Sequence, residues 1–136
     1  MKVKTKIIVA GVAAAFMTTT AFAGFKQPAP VDVDLVNQFA QGDMVSAQKA
    51  NDDVTFIGCG IRKIQTGGGV VSTGFCQAGD ADEEQFTCFT TDPELLVATA
   101  TLADASFILF AWNADGECIR IGSSTQSFYL TDKMVK

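Results

Sequence analysis

The chain has 136 residues, of which 48% are hydrophobic, and its 10 Lys+Arg and 15 Asp+Glu residues give a net charge of −5 with no histidine. The lack of histidine excludes Ser-His-Asp and Cys-His nucleophile systems and all histidine metal sites. Nucleic acids and anionic membranes are bound through clusters of Lys and Arg, so the acidic balance disfavours both as partners.

Residues 1–23 have the three parts of a bacterial export signal: a basic start, an apolar run and small residues before a cleavage point. The apolar run is too short for a permanent transmembrane helix, which needs about 20 apolar residues. The defining residues are Lys2, Lys4, Lys6, Ile7, Met17, Ala21 and Ala23. We predict a cleaved signal peptide and a soluble periplasmic or secreted protein with no stable membrane insertion.

Cleavage would leave 113 residues with 7 Lys+Arg against 15 Asp+Glu, a net charge of −8. This length suits one domain with a single core. We divide it into an N-terminal lead, residues 24–51, and a β domain, residues 52–136. Mixed apolar and polar residues predict a short amphipathic helix near 34–41, although the alternation in Val31-Asp32-Val33-Asp34 equally fits the start of a strand.

The first clear strand is predicted at residues 54–64, where apolar residues alternate with glycine and polar residues. From Ile57 to Ile61 the apolar side chains occupy odd positions, and the next apolar residue is Ile64. An extra residue in a strand moves later side chains to the opposite face. We therefore predict a long first strand with a bulge or kink between these two isoleucines.

Two more strands follow through turns. Gly67-Gly68-Gly69 predicts a hairpin, because glycine adopts positive φ without steric cost, and leads to a second strand at residues 70–78. The polar residues 79–84 predict a turn into a third strand at residues 85–90.

A helix and two strands complete the pattern. Asp92-Pro93-Glu94 predicts a helix start, since Asp caps free N–H groups, Pro suits the first helical position and Glu complements the dipole. Residues 107–112 are apolar on both faces and predict a buried strand, and residues 113–116 form a turn into a strand at 118–122. A polar strand or loop near 126–130 follows.

The resulting order is strand, strand, strand, helix, strand, strand. It predicts a mainly β fold with one helix, arranged as a five-stranded OB-like barrel. A small β-sandwich or an open α+β sheet has the same order and remains an alternative.

Four cysteines follow the export signal, which predicts two structural disulfides. Cys76 and Cys88 lie at similar distances from the 79–84 turn, so a hairpin would place them opposite each other. That leaves Cys59 to pair with Cys118. Four cysteines allow three connectivities and spacing alone does not choose among them, so the pairs Cys76–Cys88 and Cys59–Cys118 depend on the predicted topology.

Zinc and thioredoxin-type redox sites need close cysteine pairs, whereas 16, 11 and 29 residues separate these cysteines. We therefore expect no metal or other cofactor. Four acidic residues on one turn form a candidate calcium site or a carboxylate pair for glycosidase chemistry, although a solvated loop explains them as well. These residues are Asp80, Asp82, Glu83 and Glu84.

Few cations occur in the body of the chain, so Arg62, Lys63 and Arg120 are candidates for an anion or partner site. The alternative is that they only face water. Trp112 and Tyr129 are the aromatic residues suited to stacking on a sugar or peptide, although Trp112 continues an apolar strand and fits the core better.

The block from Asp52 to Gly60, which contains Ile57-Gly58-Cys59, resembles small exported bacterial proteins of unknown function, as do Phe75-Cys76-Gln77-Ala78, Cys88 and Asp115-Gly116-Glu117-Cys118. A fainter similarity, in Ile64 to Gly67, the Phe75-Cys76 strand, Cys88 and the helix after it, is to the OB-fold B subunits of subtilase-type toxins. The second resemblance implies an OB fold with the second and third strands linked by a disulfide.

These observations predict an exported, disulfide-stabilised, non-enzymatic binding or interaction module whose ligand is an unidentified protein or glycan. The first alternative is a structural or assembly protein of the cell surface. The second is a small hydrolase that uses carboxylates.

Overall fold

A computed structural model describes residues 24–131 and 134, so the predicted signal peptide, residues 1–23, lies outside the described part of the chain. The described elements in chain order are β1 Asp32–Asp34, β2 Phe39–Asp43, α1 Met44–Gln48, β3 Phe56–Thr66, β4 Gly69–Gly79, β5 Gln85–Thr90, α2 Pro93–Ala100, β6 Phe107–Trp112, β7 Cys118–Ser124 and a 3₁₀ turn at Ser127–Tyr129.

The strands form two sheets. One has the order β1-β2-β6-β7 and the other is the meander β3-β4-β5, with neighbouring strands antiparallel in both. A single parallel bridge, between Phe89 and Glu117, joins β5 to the residue before β7. The prediction of a mainly β fold with two disulfides is confirmed, but the prediction of one helix is wrong, because the short helix α1 forms directly after β2. The described strands do not close into a five-stranded barrel, because β6 pairs with β2 where closure would need β3.

The core lies between the two sheets. On β6, inward residues such as Ile108 and Phe110 are almost completely buried and alternate with residues that are half-buried. This alternation is the period-2 pattern of a strand with one face on a core. Trp112 ends the buried row and its ring stacks on Phe86 from β5 with centroids 4.1 Å apart. The interpretation of Trp112 as a core residue is confirmed.

The helix predicted near 34–41 is wrong, because the structure has a β1–β2 hairpin there. The carboxylate of Asp34 accepts hydrogen bonds from the backbone N–H groups of Val36 and Asn37, at 3.0 and 2.7 Å. Such Asx turns compete with helical hydrogen bonding. The Asn37 side chain also donates to this carboxylate, and these bonds lower the pKa of Asp34.

The N-terminal region contributes to the fold directly. β2 pairs with β6 along its whole length, so part of the predicted lead lies inside the four-stranded sheet. The buried carboxylate of Asp43 caps α1 through Ser46 N and accepts a second bond from Ala29 N at 2.6 Å. Its backbone N–H donates to Ala29 O at 2.8 Å. These bonds attach the segment before β1 to the end of β2.

The predicted helix after residue 92 is confirmed as α2, which begins as expected. The Asp92 carboxylate accepts from Glu94 N and Leu95 N, and Pro93 occupies the first turn. The helix packs on the inner side of β4, where a Cβ added at Gly74 would lie 3.0 Å from Leu96 Cδ2. α2 therefore covers the open end of the core beside the three-stranded sheet.

β3 and β4 pair without interruption from Phe56–Gly79 to Thr66–Gly69, so the predicted bulge between Ile61 and Ile64 is wrong. The alternation of apolar residues changes after Ile61 because both faces of the strand are exposed there, so neither face has to be apolar. The bulge lies elsewhere, between β6 and β7, where Ala111 pairs with Arg120 but Trp112 pairs with Cys118. Ile119 is the extra residue.

Candidate functional site

Both predicted disulfide pairs are wrong, because the cysteines are joined as Cys59–Cys76 and Cys88–Cys118. The first bond links β3 to β4. The second joins β5 to the start of β7, and so connects the two sheets. All four cysteines are paired.

The pairing of Cys76 with Cys59 has a geometric cause. Cys76 lies directly opposite both Cys59 on β3 and Cys88 on β4's other neighbour, β5. Antiparallel pairs alternate between close pairs without backbone hydrogen bonds and wider, hydrogen-bonded pairs. The Cα atoms of Cys59 and Cys76 are 4.0 Å apart, which marks a close pair.

The hydrogen bonds of β5 identify Cys76 and Cys88 as a wide, hydrogen-bonded pair. Phe89 N donates to Gly116 O at 3.2 Å, so Phe89 points its backbone polar groups away from β4. Neighbouring residues on a strand point these groups in opposite directions, so those of Cys88 point toward Cys76. Cys76 therefore lies closer to Cys59 than to Cys88 and bonds to it, and Cys88 bonds to Cys118.

The side of the three-stranded sheet that faces away from the core carries an aromatic row. Residues paired across strands share a face, which places Phe75 beside Phe89, and Phe56 further along the same face. On β5 the outward residues are exposed and the inward ones buried or half-buried, and Phe89 is 55% exposed. We call this side the outward face, with members Phe56, Arg62, Ile64, Val71, Thr73, Phe75 and Phe89.

Two glycines position the aromatic rings of the outward face. A Cβ at Gly60 would lie 2.8 Å from Phe75 Cζ, and one at Gly79 would lie 2.7 Å from Phe56 Cε1. Each ring therefore occupies the space above a glycine on the neighbouring strand. The Arg62 guanidinium carbon lies 5.1 Å from the centroid of Phe75, within the range of a cation–π contact.

A pocket of about 300 Å³ adjoins the outward face where β5 meets β7, and we call it the seam pocket. Its apolar wall is formed by Phe89 and Ile119, the latter 61% exposed. The bulge in β7 turns Ile119 out of the regular alternation, a common effect of bulges. The other lining residues are Thr73, Thr90, Thr91, Asp92, Glu117 and Cys118.

The β3–β4 hairpin extends beyond the core. Every residue from Arg62 to Val71 is exposed, so both faces of this segment meet solvent. Ile64 and Val71 pair across the strands and are 61% and 50% exposed. We call residues 62–71 the ribbon.

The acidic turn that was a candidate for calcium binding has a structural role. One oxygen of Asp80 accepts from Asp82 N and Glu84 N, and the other from Val33 N, all within 3.1 Å. Asp80 is buried while Asp82, Glu83 and Glu84 are exposed. Within residues 24–131 and 134, no three His, Cys, Asp or Glu side chains are grouped so that they could hold a metal ion.

The candidate ligand residues lie apart from one another. Arg62 is on the outward face. Arg120 is on β7 of the other sheet, where it pairs with Ala111 of β6. Tyr129 is buried and its ring lies 5.9 Å from that of Phe107. Burial raises the pKa of Tyr129, and the negative charge of Asp43 raises it further.

Comparison with protein families, with curated proteins and with solved structures finds no match. Among the described residues, no helix is both long enough and apolar enough to cross a membrane.

The sequence did not single out Phe89 or Ile119. Both lie in segments that were correctly predicted as strands, but the exposure of Phe89 depends on which face of β5 meets the core. A signal for Ile119 was present: Cys118 and Ile119 are adjacent apolar residues, and Ile121 then restores the alternation. This phase change marks the bulge in β7, whereas the similar change between Ile61 and Ile64 marks none.

Proposed function

We propose that this chain is an exported, disulfide-stabilised, non-enzymatic module that binds a protein partner through the outward face and the seam pocket. The observation that carries the proposal is the exposure of Phe89 and Ile119 at the rim of one pocket. Contiguous exposed apolar side chains beside a pocket are typical of protein interaction sites. Aromatic residues and arginine also contribute most of the binding energy at many interfaces, and Phe75 with Arg62 supplies both.

The roles of three carboxylates, two of them buried, support a non-enzymatic function. Asp43 and Asp92 cap helices, and Asp80 closes the turn between β4 and β5. Their oxygens accept backbone N–H groups and therefore hold local structure. A general acid or base instead needs a carboxylate directed at a substrate.

The two disulfides support an oxidising compartment, in agreement with a periplasmic or secreted protein. We also propose that the order β3-β4-β5-α2-β6-β7, with its parallel bridge from β5 to the residue before β7, is an opened relative of the OB-like barrel. The similarity to toxin B subunits supports this fold relationship, although the disulfide it implies between the second and third barrel strands is replaced here by one between the first and second.

A random peptide library selected on the wild-type protein tests the proposal. We expect selected peptides to bind the Phe89→Ser and Ile119→Ser variants at least tenfold more weakly, because both substitutions remove apolar surface from the pocket rim. Val97→Ser is the matched control, since Val97 is an exposed apolar residue on α2 that does not line the seam pocket. Equal binding to all four proteins would refute the proposed site.

A further inference from the structure

β3 is an edge strand with one open side. It pairs with β4 over all 11 residues and is the terminal strand of its sheet. Because Cys59–Cys76 is a close pair, the backbone polar groups of Cys59 point away from β4. The same holds for every second residue of β3, which includes Ile57, Ile61, Lys63 and Gln65. Throughout residues 24–131 and 134, these outward-pointing groups form no backbone hydrogen bond with another element.

The accessible part of this edge begins after Ile57, the residue of β3 that lies beside α1. At the base of β3, Ile57 lines a hollow together with Met44 and Ala47 of α1, so the helix lies beside the start of the strand. α2 lies on the inner face of the sheet near Gly74, and within the described part of the chain it forms no backbone hydrogen bond with β3. The open edge therefore runs over residues 59–65, which offer four N–H and four C=O groups at alternate positions.

We propose that residues 59–65 of β3 form a strand-addition site for an extended acidic segment of another protein. The inference rests on the proposed function, because the added strand would extend the three-stranded sheet and so widen the outward face at its β3 edge. Main-chain hydrogen bonds give such complexes their affinity, and alternate side chains give them their specificity.

Charge complementarity identifies the partner as acidic. Arg62 and Lys63 are the only charged residues between 54 and 79, a segment without a carboxylate in a chain of net charge −5. Their side chains lie on opposite faces of β3, since successive residues of a strand alternate. An acidic residue on either face of an added strand would thus meet a cation.

Both cations are available to a partner. Within the described residues neither takes part in an ion pair, and the guanidinium of Arg62 is held over Phe75. Asp53 and Asp80 lie near the base of the hairpin, about 20 Å from Arg62 for a strand rise of about 3.4 Å per residue. That separation exceeds the Debye length of about 8 Å at physiological salt, so these carboxylates have little effect at the ribbon.

A second copy of the chain fits this edge poorly. Antiparallel pairing of two β3 strands would bring the Arg62-Lys63 pairs of both copies close together. Like charges on neighbouring strands are destabilising, and charged residues on edge strands are a common protection against unwanted pairing. The same two residues that oppose self-pairing therefore select an acidic strand.

Three blocked nine-residue peptides with alternating Glu–Val, Ser–Val or Lys–Val sequences provide the probe. We expect the Glu–Val peptide to bind at least tenfold more tightly than the Lys–Val peptide and to slow amide hydrogen exchange at Cys59, Ile61, Lys63 and Gln65. N-methylation of alternate peptide amides should abolish both effects. The double variant Arg62→Glu/Lys63→Glu should reverse the charge preference, whereas Arg120→Glu, on the other sheet, should not change it.

Three results would overturn the inference: equal affinity for the three peptides, unchanged exchange at the four edge amides, or self-association of the protein through β3. Peptides from the random library separate this failure from that of the proposed function. If their binding depends on Phe89 but not on edge amides, strand addition is wrong and the outward face is still the binding site. If their binding depends on neither, the proposed function is wrong.

Discussion

The two halves of the β3–β4 hairpin have the same strands and register but different surroundings. In the base, residues 56–61 and 74–79, the inward side chains Ile57, Cys76 and Ala78 are buried against the other sheet. In the ribbon, the same inward row continues with Lys63 and with Gln65 opposite Val70, and these residues do not join the core. The base belongs to the fold, and the ribbon is left available for contacts with a partner.

This comparison shows why the first disulfide lies where it does. A two-stranded hairpin without further support is marginally stable in water. Cys59–Cys76 joins the strands three residues before Arg62, where core packing ends. The cross-link therefore holds the register of a segment that receives no support from the rest of the molecule.

The largest difference should appear when one apolar side chain is truncated in each region. Phe110→Ala should lower the free energy of unfolding by about 4 kcal/mol, because it leaves a cavity in a fully buried site. Ile64→Ala in the ribbon should change it by less than about 0.5 kcal/mol. Chemical denaturation of both variants measures this, and a comparable loss for Ile64→Ala would show that the ribbon packs on the body.

Removing each disulfide should lower the stability by a different amount and affect a different part of the molecule. Replacing Cys88 and Cys118 by alanine should cost about 3.6 kcal/mol, and replacing Cys59 and Cys76 about 3.1 kcal/mol, from the chain entropy of loops with separations of 30 and 17 residues. Only the second change should speed amide exchange selectively in the ribbon. Exchange that rises equally across both sheets would contradict a local role for Cys59–Cys76.

Asp80 should matter for stability and not for calcium. Asp80→Ala leaves three backbone N–H groups without their acceptor, so we expect a loss of about 2 kcal/mol. Calcium and chelator should leave the melting temperature of the wild-type protein unchanged. A rise in melting temperature with calcium that disappears in Asp82→Asn would restore the calcium hypothesis for this turn.

The smallest effect concerns pH and lies outside the ribbon, at Tyr129. The raised pKa of Tyr129 means that the folded state favours the neutral phenol. Its contribution to stability is therefore complete below about pH 10 and is lost as the pH rises through the folded-state pKa. Denaturation between about pH 9 and 12 should show a smaller alkaline loss for Tyr129→Phe than for the wild type.

The local signals in the sequence were sufficient for most elements. Asp92-Pro93-Glu94 predicted the start of α2, and the turns at residues 67–69 and 79–84 separated three strands that the structure confirms. These signals depend on residues close together in the chain. The β1–β2 hairpin was missed because the side-chain bonds of Asp34 stop helix formation, and the short apolar pattern does not reveal them.

The candidate site depended on information that the sequence did not supply. The pairing of Cys76 with Cys59 follows from which strand pairs lack backbone hydrogen bonds, a property of register that spacing leaves open. The exposure of Phe89 follows from the position of the second sheet, because Phe86 in the same strand faces the core.

That pair of phenylalanines allows the most direct test, since both lie on β5 and face opposite sides of its sheet. The unfolding midpoint and the affinity for library-selected peptides should be measured for Phe86→Ser and Phe89→Ser. We expect Phe86→Ser to lower the midpoint strongly, through loss of its stacking on Trp112, and Phe89→Ser to weaken binding with little change in the midpoint. A Phe89→Ser protein that loses as much stability as Phe86→Ser, and still binds with wild-type affinity, would contradict the account.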